Sequence, residues 1–149
     1  MPANRSPIFS GAPNLQIGSG VLGPNANTAQ DGTGANITSI WQADATNGGF
    51  LEKIVLNAVG SPAATVARVF VCTVSGAFTP GTSNTASNTS LLAEVTLPSV
   101  TVSQTAQSFP AVIPIDMGVD AGYRILLTFG TSTGAAGTGY VSVAVGGKY

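Results

Sequence analysis

Ser90-Leu91-Leu92-Ala93-Glu94-Val95-Thr96-Leu97 is the stretch that decides the fold class. Leu91, Ala93, Val95 and Leu97 fall on one side of an extended chain, with Glu94 and Thr96 on the other. That period of two belongs to a strand with one face buried, and Pro98 ends it. The same period recurs downstream. Tyr123, Ile125, Leu127 and Phe129 alternate with Arg124 and Thr128, and Val141, Val143 and Val145 alternate with Ser142 and Ala144. The Gly-rich residues 130–139 between them predict a hairpin.

Upstream, residues 66–74 are apolar on both faces, as a central strand requires. Residues 49–59 place Ile54, Leu56 and Ala58 on one face and Leu51, Val55 and Val59 on the other. Residues 35–42 carry Ile37, Ile40 and Trp41 among polar neighbours. Residues 111–117 form a further strand, and Pro114 inside it predicts a sheet edge, because proline cannot donate to a ladder. Val100 and Val102 suggest a short strand, and the polar residues 76–88, with Pro80-Gly81, read as a long exposed loop. No stretch keeps a helical period. About eight short strands make an all-β, two-sheet β-sandwich. The long returns favour a jelly-roll or Greek-key topology over a meander.

The leading residues differ. Pro2, Pro7, Pro13 and Pro24 alternate with Gly11, Gly18, Gly20 and Gly23, which excludes a helix. Residues 1–30 are therefore expected to form an extended N-terminal arm with one short strand at residues 14–18, leaving residues 31–149 as the sandwich domain. A disordered tail rarely carries apolar side chains at this density. Pro7, Ile8, Phe9, Leu15, Ile17, Val21 and Leu22 are the candidate interface residues of that arm, which contact with the domain or with a neighbour would order, as strand addition allows. On this reading, deleting residues 1–30 leaves the sandwich folded and abolishes attachment.

Charge narrows the function. Five Lys and Arg and six Asp and Glu make 7% of the chain, against about 25% in an ordinary domain. A weakly charged surface is cheap to desolvate against a neighbour. The net charge of −1 offers no basic patch for a phosphate backbone, so no nucleic-acid partner is expected. No apolar run is long enough to cross a bilayer, so no membrane role is expected either. Residues 1–10 lack the apolar core of a signal peptide. Cys72 has no disulfide partner in the chain and sits in an apolar run, as a small buried hydrophobe does.

Chemistry is not signalled. The chain has no histidine, which removes the usual general base and the commonest metal ligand. Gly18-Ser19-Gly20-Val21-Leu22-Gly23 matches a dinucleotide fingerprint, but Pro24 follows where a helix must begin. Gly130-Thr131-Ser132-Thr133-Gly134 matches a nucleophile elbow without the helix or histidine that an elbow needs. The six acids do not cluster in sequence, and Asp116 with Asp120 supply too few oxygens for calcium. Asp120-Ala121-Gly122-Tyr123 looks like a tyrosine corner. The expectation is a non-enzyme with no catalytic residue, cofactor or metal site.

Several segments together carry a resemblance. They are Ser6-Pro7-Ile8-Phe9-Ser10-Gly11-Ala12-Pro13-Asn14, Thr28-Ala29-Gln30-Asp31-Gly32-Thr33-Gly34, Leu91-Leu92-Ala93-Glu94-Val95-Thr96-Leu97-Pro98, Asp120-Ala121-Gly122-Tyr123 and Val143-Ala144-Val145-Gly146-Gly147-Lys148-Tyr149. In style the chain resembles small virion proteins of tailed bacteriophages, of the head decoration or cement type. The resemblance implies a homotrimer on the outer surface of the capsid, bound to the major capsid protein and to neighbouring copies. It implies that the arm lies on those neighbours and that the protein stabilises the shell. The alternative is a receptor- or glycan-binding module of a fibre or tail, for which Trp41, Tyr140 and Tyr149 are the aromatic candidates.

Overall fold

The computed structural model describes residues 11–149, and the candidate interface residues Pro7, Ile8 and Phe9 lie outside them. The described chain has nine strands and no helix: β1 (Ala12–Pro13), β2 (Gln16–Ile17), β3 (Thr38–Gln42), β4 (Gly49–Val59), β5 (Thr65–Cys72), β6 (Thr89–Leu97), β7 (Ala111–Val119), β8 (Arg124–Phe129) and β9 (Gly139–Lys148). They form two antiparallel sheets. Sheet one runs β1-β9-β4-β7, with β2 also on β9, and sheet two runs β3-β8-β5-β6. The two sheets enclose one main core, as a β-sandwich does.

The pairings are nested. Strands β1 and β2 pair with β9, β3 with β8, β4 with β7, and β5 with β6. The expected hairpin between the last two strands does not form. β8 lies in sheet two and β9 in sheet one, so residues 130–139 cross between the sheets. Local sequence marks a turn there but cannot show which sheet the next strand joins. Residues 98–110 contain no strand, so the one suggested by Val100 and Val102 is absent. Strand β7 is an edge, as Pro114 implied. Asp116, at φ 49°, is the only described non-glycine residue with positive φ, and it lies where the β7–β4 register shifts.

Bulges overturn the strict alternation read for β4 and β6. The β4 register shifts between Leu51 and Lys53, so Leu51 is buried with Ile54 and Leu56 instead of opposite them. On β6 the register shifts opposite Val69 and Phe70; Leu92 packs against the core and Leu91 turns out to solvent. One extra residue moves the following side chains to the opposite face. Strand β9 buries its small residues: Ser142 and Ala144 face inward, and Val141, Val143 and Val145 face outward, half-buried.

The described part of the expected arm is built into the sandwich. Residues 12–17 line the edge of sheet one beside β9. The amide of Gln16 accepts from the Gln42 N–H at 3.0 Å and donates to the Gln42 carbonyl at 2.8 Å, as a neighbouring strand would. Asn14 donates to the same carbonyl, and its own carbonyl accepts the indole N–H of buried Trp41 at 3.0 Å. Leu22 belongs to the main core. Residues 11–30 thus stitch the open side of the sandwich shut, and a variant lacking residues 1–30 would lose this closure. Of the two ways of ordering the arm, contact with the domain is therefore the one residues 11–22 show.

Candidate interaction surface

The two sheets treat their outer faces differently. On sheet two, Phe70 and Cys72 of β5 and Leu126 of β8 point away from the main core and form a second apolar cluster with Ile37. Val74 and Phe78, from the connection between β5 and β6, pack against it. Buried Asn84 holds this cover in place: its amide donates to the carbonyls of Gly32 and Gly34 at 2.7 and 3.0 Å and accepts from the Gly81 N–H at 2.7 Å. The long polar loop read from the sequence is therefore partly a lid over apolar side chains.

Sheet one has no such cover among the described residues. Its register aligns Ile17 with Val143, Val143 with Val55, and Val55 with Val112. Cross-strand partners share a face, so these four make an apolar row across β2, β9, β4 and β7. Ile17 is 68% exposed and Val112 51%. Val141 and Val145 flank the row on β9, and Pro114 pairs with Lys53 beside it. No strand of the described residues packs over this face. Its charges are few: Lys53 pairs with adjacent Glu52 at 2.7 Å, and Asp116 lies at the β7 edge. Phe109, 80% exposed, stands at the approach to β7.

Of the arm residues singled out from sequence, Leu15 and Ile17 stand exposed at the edge of this face. Val21 is half-buried at a cleft of about 300 Å³ floored by Leu127, Thr128 and Phe129. Leu22 is 8% exposed in the core, so it cannot serve as an interface residue; its spacing alone could not separate core from contact. Sequence reading missed Val55, Val112 and Val143. Their alternation was visible, but alternation identifies a face without saying what lies over it.

Neither cleft assembles reactive chemistry. No titratable side chain lines the one at Val21. The other, about 340 Å³, contains Asp44 and Lys148. Asp44 is held below its usual carboxylate range by the backbone N–H groups of Asn47 and Thr46, with a smaller contribution from Lys148. Among the described residues no three His, Cys, Asp or Glu side chains come together to hold a metal. Trp41 and Tyr140 are core residues, stacked or capped inside the sandwich, which leaves Tyr149 as the exposed aromatic of the three glycan candidates. Asp120 accepts the Tyr123 N–H across a tight turn, but the Tyr123 hydroxyl makes no hydrogen bond among the described residues, so the tyrosine corner is not formed. Comparison with protein-family models, with curated proteins and with solved structures finds no match.

Proposed function

We propose that this chain is a structural component of a bacteriophage particle, seated on the outer surface of the capsid, where it binds the major capsid protein and neighbouring copies of itself. The observation that carries the reading is the bare apolar face of sheet one on a chain with very few charges. A scaffold of paired strands holds that face fixed, so little ordering entropy is lost when a protein surface covers it. Repetition over many symmetric copies would turn a modest contact into a large stabilisation of the shell. The nested pairing of first with last strand, second with second-last and so inward supports a jelly-roll arrangement, a fold used in viral capsid domains. The resemblance read from the sequence points the same way.

Immunogold labelling of intact purified particles, using antibody against the isolated protein, tests the reading. Regular labelling over the head is expected. Particles that carry no label, or label confined to a fibre tip, overturn it.

A further inference from the structure

We infer that the bare face of sheet one is covered by the same face of a second copy, in a back-to-back twofold dimer. The inference rests on the reading of this face as a protein interface and names its occupant. Area is the first argument. Strand β9 has ten residues. Strands β4 and β7 add eleven and nine residues, and β1 and β2 two each at the edge. At about 3.3 Å per residue and about 4.8 Å between strands, the face measures roughly 540 Å². Two copies would then bury roughly 1,100 Å², which clears the roughly 1,000 Å² expected of a specific interface. A smaller partner, such as a single added strand, would leave most of the row in water.

Composition is the second argument. The middle of the face is Val55, Val143 and Val112 in register, with no charge in that row. Contacts between identical subunits are more apolar at their centre than contacts with exchangeable partners. Electrostatics is the third. Lys53 and Glu52 already neutralise each other within one chain, so two like faces meet without strong repulsion. A strongly charged partner would find nothing on this face to pair with. Two sheets stack at about 10 Å, and outward valines fill that gap in ordinary sandwiches.

Geometry also limits the stoichiometry. An isologous contact of one face with itself closes at two copies. The trimer implied by the family resemblance would need a head-to-tail contact made by a different surface.

The full chain and its Val55→Asp and Val143→Thr variants, run in sedimentation velocity over a concentration series, test the inference. The unaltered chain is expected to sediment as a dimer. Val55→Asp is expected to sediment at the single-chain mass of 14.8 kDa, with Val143→Thr showing at least a tenfold weaker association. Far-UV circular dichroism establishes that each variant is folded; if Val55→Asp is not, Val143→Thr carries the test. An unaltered chain that stays monomeric at high concentration overturns the dimer, as does an oligomer indifferent to both substitutions. Either result leaves particle labelling free to support the virion reading on its own. Failure of labelling with an intact dimer overturns that reading instead.

Discussion

The outer faces of the two sheets make an internal control. Both carry apolar side chains that point away from the shared core. On sheet two the chain spends the residues between β5 and β6 on a lid, pinned by Asn84 over Phe70, Cys72 and Leu126. On sheet one a wider row, from Ile17 to Val112, is left open by the described residues. Within residues 11–149 the polypeptide has the means to shield a sheet and uses them once. A covered face serves stability within the chain, and on the proposal made above the open one serves contact beyond it.

That contrast sets the order of the expected effects. Phe70→Ala should cost the most, about 3–5 kcal/mol in urea unfolding, because a fully buried ring leaves a cavity under the lid. Asn84→Ala should follow at about 2 kcal/mol, since three backbone groups lose their partner. Limited proteolysis would read the same loss as faster cutting within residues 73–88. Val55→Thr, at a dilution where single chains prevail, should cost less than about 1 kcal/mol, because Val55 is only half-buried and lies outside the core. A cost matching that of Phe70→Ala would show that sheet one is covered within its own chain, and the contrast would fail. Glu94→Gln should be smallest, about 0–1 kcal/mol and fading with salt, because Glu94 meets Arg68 near the surface.

Much of the fold was legible in the sequence. Strand β4 falls on the residues its alternation marked, and Pro114 identified an edge. The failures have local causes. Against β9 and β5 respectively, the bulges at Glu52 and Leu92 each insert one residue, and a period-two reading carries on past them as though nothing happened. The valines of β9 face outward while Ser142 and Ala144 face inward, where Gly146 and Gly49 leave room for the Trp41 ring. Which side of that strand is the core depends on volume supplied by the opposite sheet, and nothing in β9 itself encodes it. The candidate site was half legible for a related reason. Leu15 and Ile17 were marked as contact residues and stand exposed, whereas Leu22, marked by the same criterion, fills the core.

The nested pairings also constrain how the molecule is made. The innermost pair, β5 with β6, has both members once residue 97 is synthesised, but the outermost requires residues 12–17 to meet residues 139–148. Until β9 leaves the ribosome, β4 lacks one neighbour and the valine row has no middle. The row is therefore completed only when β9 pairs with β4, and until then the unpaired edge of β4 is the part of the growing chain most open to pairing with a foreign strand.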